Sequence, residues 1–163
     1  MNSGQKVPLK ISIVTVSFNQ AEFIEDNIRS ILDQDYPEFE HIIIDAGSTD
    51  GTIDILKKYS HLIWTSEPDN GQSHGLNKGF KKATGEIIGW INSDDLLANG
   101  AMYKVAAFFS VNLGVYSVVG DLEIISKEGN LINKLTAFRH DHKAISTLLR
   151  GVIQPSTFFR RSG

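Results

Sequence analysis

The 163-residue sequence predicts an α/β fold built on an open, mostly parallel sheet, and three observations carry that reading. β-Branched runs recur along the first hundred residues, amphipathic helical stripes lie between them, and the runs close in polar or acidic loops rather than hairpin turns. The first run, Ile11-Ser12-Ile13-Val14-Thr15-Val16, suits a buried strand. Ile24, Ile28, Ile31 and Leu32 then recur at helical spacing, with Tyr36-Pro37 marking the end of that helix. His41-Ile42-Ile43-Ile44 is the second strand. It closes at Asp45-Ala46-Gly47-Ser48-Thr49-Asp50-Gly51, whose turn-forming residues lead into a short helix carrying Ile53, Leu56 and Tyr59. Leu62-Ile63-Trp64 reads as a third strand, Leu76 to Ala83 as a third helix and Glu86 to Ile91 as a fourth strand, with Thr84-Gly85 as the turn between them. After Asn99-Gly100, Met102, Val105, Ala106 and Phe109 form another stripe. Beyond Val115 the rhythm changes to short strand-like runs at Val115 to Val119, Glu123 to Ile125 and Leu131-Ile132, which predict a small antiparallel patch in the C-terminal third.

Residues 1–163 are expected to form a single domain, with residues 1–9 as a flexible N-terminal segment and the C-terminal end truncated. Sixteen Lys and Arg against nineteen Asp and Glu give a formal charge of −3, which supplies no broad basic surface and argues against nucleic acid as a partner. Without cysteine, a bound metal must rely on oxygen or imidazole ligands. The polar N-terminus lacks an apolar signal-peptide core and no stretch reaches membrane-spanning length, so a soluble, cytoplasmic chain is expected.

In a parallel α/β sheet, ligands bind outside the carboxyl ends of the strands. The loops there read Ser17-Phe18-Asn19-Gln20, Asp45 to Asp50, and Asn92-Ser93-Asp94-Asp95. The first has no glycine-rich phosphate cradle of the dinucleotide or P-loop kind, nor the glycine-, Arg- and Lys-bearing loop expected of a nucleotidyltransferase. Adjacent carboxylates at the end of a central strand repel unless positive charge sits between them, so a divalent cation at Asp94 or Asp95 would serve both those acids and a bound phosphate.

Thr15-Val16-Ser17-Phe18-Asn19, Asp45 to Thr52, Asp69-Asn70-Gly71-Gln72-Ser73, Asn77-Lys78-Gly79 and Gly85 to Asp95, in that order, resemble the nucleotide-binding half of glycosyltransferase family 2 over roughly residues 10 to 160. The resemblance implies a GT-A (Rossmann-like) fold and transfer of a sugar, with inversion, from a nucleotide-diphosphate donor, UDP by family habit, to a glycan or lipid-linked acceptor. It places Thr15, Val16, Ser17 and Asn19 at the nucleotide, Asp45 on the base or ribose, and Asn77 and Lys78 beside the diphosphate. The family's acidic motif falls on Asn92-Ser93-Asp94, with Asp94 and the following Asp95 as ligands of Mg²⁺ or Mn²⁺. Asn92 departs from that motif: it can hydrogen-bond ribose or a metal-bound water but carries no charge. The general base of such enzymes follows the region of Gln154 to Arg160, which puts it beyond Gly163 and implies a chain that binds donor but transfers sugar poorly. Peripheral attachment at the inner face of a membrane is also implied for the full-length protein.

Plainer roles are available for several of these residues. Asn92 to Asp95 could cap a helix, and Asp45 could hold an Asx-turn. Asp50 belongs to its turn, because Ser48 stands where a phosphatase-type nucleophilic loop needs an aspartate. His74 could touch sugar or phosphate or simply face solvent. Trp64 and Trp90 read as core, His140, Asp141 and His142 as a solvated loop, and Asp121 as an outside candidate for contact with an acceptor sugar. A donor-binding scaffold without turnover is the non-enzymatic alternative.

Overall fold

The computed structural model describes residues 8–137 and 154–161. Among these, the chain runs β1 (Ile11–Ser17), α1 (Ile24–Leu32), β2 (Phe39–Asp45), α2 (Thr52–Leu56), β3 (Leu62–Ser66), α3 (Gln72–Lys82), β4 (Ile87–Asn92), α4 (Ala101–Val111), β5 (Ser117–Val119), β6 (Leu122–Ile125), β7 (Leu131–Leu135) and β8 (Thr157–Arg160). The main sheet has the order β3-β2-β1-β4-β8-β5, and β6 pairs with β7 separately. β1 pairs in parallel with both β2 and β4, and β2 with β3, while β8 is antiparallel to both its neighbours. The α/β reading, mostly parallel with a small antiparallel patch, holds.

Alternation along the central strands divides the core in two. Ile11 and Ile13 point to the face covered by α1 and α4, where they meet Ile31, Met102 and Phe109; Val14 points to the other face and meets Leu76 of α3. On the first face, Ile24 and Ile28 of α1 also pack on Ile43 and on Leu56 of α2. Helix α3 lies close on β1 because Gly79 has no side chain: a Cβ there would come within 2.3 Å of Val14 Cγ1.

The structure departs from the sequence reading in four places. Leu32 is 39% exposed, since the stripe of α1 that faces the core is Ile24, Asn27, Ile28 and Ile31. Helix α3 starts at Gln72, a turn earlier than Leu76, after Gly71 at φ 98°. β5 does not join the antiparallel patch: β8 inserts between it and β4, leaving only β6 and β7 as the separate hairpin. Leu9, in the segment expected to be loose, packs against the core and its carbonyl accepts a 2.7 Å hydrogen bond from the Tyr36 hydroxyl. Trp64 and Trp90 both pack against core clusters, as expected. The His140, Asp141 and His142 group lies outside the described residues. Among the described residues no helix is long and apolar enough to cross a membrane.

Candidate active site

β1 and β4 are neighbours in the sheet, and the chain leaves β1 toward β2 on one side while β4 lies on the other. The loops that follow them therefore diverge and open a crevice at the switch point of the strand order. A cleft of about 540 Å³ sits there. Val16, Ser17, Phe18 and Gln20 line it from β1, Ala46 from the end of β2, Pro68, Asp69, Gly71 and Gln72 from the approach to α3, and Asn92, Ser93 and Asp94 from β4. A second cavity of about 400 Å³ shares Asn92 and Asp94 with the first and adds Asp95, Leu96, the β6 residues Leu122 to Ile125, Gln154 and Pro155. Asp94 thus stands on the wall between two cavities.

Of the residues that the sequence singled out, Val16, Ser17, Asn92, Ser93 and Asp94 meet at the first cleft and Asp95 faces the second. The others lie elsewhere. Thr15 is fully buried on the α1 side of the sheet, 3.0 Å from His41 Nε2. Asn19, at φ 52°, stitches two loops: its backbone N–H donates to Ser48 Oγ at 2.7 Å and its Oδ1 accepts from Thr49 N at 2.9 Å. Asn77 is exposed on α3, and Lys78 is ion-paired with Glu67 at 2.8 Å.

Asp45 is fully buried and lines neither cavity. Its Oδ2 accepts from Gly47 N, Ser48 N and Ser66 Oγ at 3.0, 2.8 and 2.7 Å, and its Oδ1 accepts from Ser48 Oγ at 2.5 Å. The carboxylate organises the loop after β2 and presents Ala46 to the cleft. Asp50 does the same for the next turn, accepting from Ala21 N, Thr52 N and Thr52 Oγ1. His74 Nδ1 accepts from Asn70 N at 3.1 Å, which ties it to the loop ahead of α3.

Burial and the neighbouring charge of Asp94 both push the Asp95 carboxyl above its usual range, against hydrogen bonds from Asn92 that lower it. Among the described residues no Lys, Arg or His forms an ion pair with either acid, nor does any group of three or more His, Asp or Glu gather as a complete metal cage. An uncompensated pair of hard oxygen donors fits Mg²⁺ or Mn²⁺ held by one or two carboxylates and completed by substrate phosphates, the usual habit of such ions. Asn92 uses both ends of its amide as a bridge: its Oδ1 accepts from Gln72 Nε2 at 2.8 Å and its Nδ2 donates to Gln154 Oε1 at 2.9 Å. A carboxylate at position 92 could not make the second bond.

Phe18, Gln20, Ala46, Pro68, Asp69 and Gln72 are cleft residues that sequence reasoning did not assign to the site. Phe18 and Gln20 sit in a strand-end loop that was already suspect, and Phe18 carries the clearest signal, an aromatic ring in a polar loop that folding leaves 57% exposed. Ala46 and Pro68 carry no chemical signal and line the cleft by position alone.

A switch-point crevice with an acidic strand end defines an α/β protein of the GT-A type, and solved structures share that architecture. TarS of S. aureus, as residues 1-349 in complex with UDP-GlcNAc, aligns with a TM-score of 0.68 at 22% identity, over 93% of this chain and 45% of that one. A mannosyltransferase from Pyrobaculum calidifontis, in complex with GDP-Man and Mn²⁺, aligns with a TM-score of 0.63 at 26% identity, over 71% of this chain and 36% of that one. Residues 12–162 match the model of glycosyl transferase family 2, and the chain belongs to that family. TuaG of Bacillus subtilis (strain 168), which carries the name of a teichuronic acid biosynthesis glycosyltransferase, is 32% identical over 130 residues, covering 76% of this chain and 51% of TuaG. The poly-beta-1,6-N-acetyl-D-glucosamine synthase of Staphylococcus epidermidis is 30% identical over 125 residues, covering 74% of this chain and 30% of the synthase. The chain thus spans about half the length, or less, of these curated relatives.

Proposed function

We propose that this chain is the donor-binding portion of an inverting glycosyltransferase that moves a sugar from a nucleotide diphosphate, UDP in the first instance, to a glycan or lipid-linked acceptor. The observation that carries the reading is the position of Asp94, on the wall shared by a cleft sized for a nucleotide and a second cavity open to another substrate. In the first cleft, the Phe18 ring offers a stacking face for the base. Ser17, at the end of β1, contributes to the lining of the same cleft. Ser93 and Asn92 border the same volume, while Asp45, Asn19 and Asp50 act at one remove by fixing the loops. In the second cavity, Asp95, Glu123 and Gln154 give an acceptor polar contacts over an apolar wall of Leu96, Leu122 and Pro155.

A Mg²⁺ or Mn²⁺ ion held by Asp94 and Asp95 would stabilise, as a Lewis acid, the charge that gathers on the departing diphosphate. This chain's own residues bind the nucleotide, hold the two carboxylates at the junction of the cavities, and align the donor with whatever enters the second cavity. Alignment of that kind is a large part of what a group-transfer site contributes. The Mn²⁺-bound and UDP-GlcNAc-bound neighbours support a metal and a nucleotide-sugar, and their different bases make the nucleotide a question for titration. Calorimetry with UDP and with GDP, each with Mn²⁺ or EDTA, tests the reading on the wild type and on Asp94→Ala. Tight binding of one nucleotide that needs Mn²⁺ and is lost in the variant is expected. Failure of every nucleoside diphosphate to bind would leave a scaffold.

A further inference from the structure

Helix α1 carries a second stripe beside its apolar one. Asn27 and Ser30 lie on it and Gln34 in the turn just after it, with Asn27 fully buried and Gln34 nearly so. All three reach across to the backbone that follows β4. Asn27 Nδ2 donates to Asn92 O at 2.9 Å and to Asp95 O at 2.7 Å. Ser30 Oγ accepts from Leu97 N at 3.0 Å, and Gln34 Nε2 lies 3.3 and 3.1 Å from Leu97 O and Ala98 O. The segment from Asn92 to Ala98 is thus gripped from behind by α1 and the turn that follows it, on the side away from the two cavities.

Asn27 is the member that bears on the acids. The two carbonyls it holds flank Asp94, and the Asp95 N–H to Asn92 O bond at 3.1 Å closes the same turn. Both of its amide hydrogens are engaged, so its orientation is fixed and Oδ1 must face Thr15, whose Oγ1 lies 3.5 Å away. A hydroxyl that donates there can accept from the other side, and His41 Nε2 lies 3.0 Å from it. Every bond then runs one way, from His41 Nε2–H to Thr15, from Thr15 to Asn27, and from Asn27 to the two carbonyls. This order leaves His41 Nδ1 as a bare acceptor, consistent with its having no partner, and a bare acceptor is cheaper to bury than an orphaned N–H.

We infer that Asn27, backed by Thr15 and His41, is a positioning residue that fixes the Asn92–Asp95 turn so that the Asp94 and Asp95 carboxylates are preset for a cation and diphosphate. This rests on the donor-site reading above. A site so supported needs no reorganisation when ligand arrives, and loosening the support weakens the site without touching it.

The test uses Asn27→Leu, which keeps the volume on an already apolar stripe while removing both donors. UDP affinity is measured with Mn²⁺ and with EDTA, and backbone hydrogen exchange is followed over residues 92–98. The expected result is a loss of about tenfold in affinity with Mn²⁺, the scale of one to two hydrogen bonds, with the EDTA value unchanged and exchange faster in that segment alone. Thr15→Val, a gentler change that removes only the hydroxyl behind Asn27, should lower the Mn²⁺ value by about threefold, and Thr15→Ser should restore it. A residue that only held the fold together would lower thermal stability and leave the ratio of the two affinities where it was. An unchanged ratio in folded Asn27→Leu and Thr15→Val therefore overturns the inference. If the wild type itself gains nothing from Mn²⁺, yet Asn27→Leu still accelerates exchange at 92–98, the clamp stands and the donor-site reading falls; unchanged exchange overturns the clamp as well.

Discussion

At the scale of single residues, the cleft separates groups that face a ligand from groups that hold those groups still. Phe18 is the first kind. Its ring is exposed at the cleft and has no core to fill, so Phe18→Ala should leave the melting temperature nearly unchanged. It should weaken nucleotide binding by about 1–3 kcal/mol, the range of base–aromatic stacking. Calorimetry with the matching nucleoside diphosphate checks this, and Phe18→Tyr should retain the affinity. Asp45 is the second kind. Four donors converge on its two oxygens in a fully buried site, and Asp45→Asn would set an amide N–H₂ against some of them. A cost of about 2–3 kcal/mol is expected for groups left unsatisfied in that setting, read as a lower urea midpoint. The sequence marked Asp45 as a site residue and Phe18 only as part of a strand-end loop, and it could not tell a ligand-facing group from a supporting one. A run such as Thr15-Val16-Ser17 cannot present all its side chains to one cleft, because neighbours on a strand point to opposite faces. Val16 faces the cleft, and Thr15 is sealed against α1.

At the scale of elements, what was legible followed from local period. The four parallel strands are β-branched runs, with β1–β2 and β2–β3 paired in chain order, and α1, α3 and α4 show their stripes in sequence. The place of β8 was not legible. It pairs with strands some 70 and 40 residues earlier, and no short-range pattern records such a partner. Asn27 left a signal that the period reading passed over: a polar residue on the buried stripe between Ile24 and Ile31 must have a partner inside. Glycine at 79 belongs to the same scale, since it sets how closely a whole helix lies on the sheet. Gly79→Ala would drive a Cβ into Val14 Cγ1 at 2.3 Å, forcing α3 off β1. The gain in helix propensity, about 1 kcal/mol, competes with about 1–3 kcal/mol of overpacking. The clash is severe enough for overpacking to win, and denaturant melts should show a net loss. Because Gln72 at the start of α3 lines the cleft and bonds to Asn92, the same variant should also bind nucleotide more weakly.

At the scale of the whole molecule, pH acts through groups the fold has buried. Burial, with a smaller contribution from the charge of His61, pushes the His41 imidazole down from 6.5 to about 3, and burial lowers His61 as well. The unfolded chain takes up these protons as pH falls through about 6.5, whereas native His41 refuses its proton until about pH 3. The unfolded state therefore binds more protons throughout that window, so stability is fully present above it and is lost as pH falls, with a limiting slope of about 1.4 kcal/mol per pH unit for one proton. Glu40 acts in a lower window. Burial raises its carboxyl, but hydrogen bonds from Lys10, Ser12 and Thr84 outweigh that and hold it at about 2, so its contribution is lost only as pH falls from about 4.5. Asp95, pushed upward by burial and by Asp94, works in the opposite sense on the acid side. Between pH 6.5 and 5 the decline should therefore belong to the histidines. Urea midpoints of the wild type should fall steadily across that interval, while those of His41→Gln, which keeps an amide donor for Thr15 and does not titrate, should fall much less. An equal slope in the two proteins would mean that His41 is protonated in the native state, and the one-way hydrogen-bond order from His41 to the acidic turn would have to be redrawn.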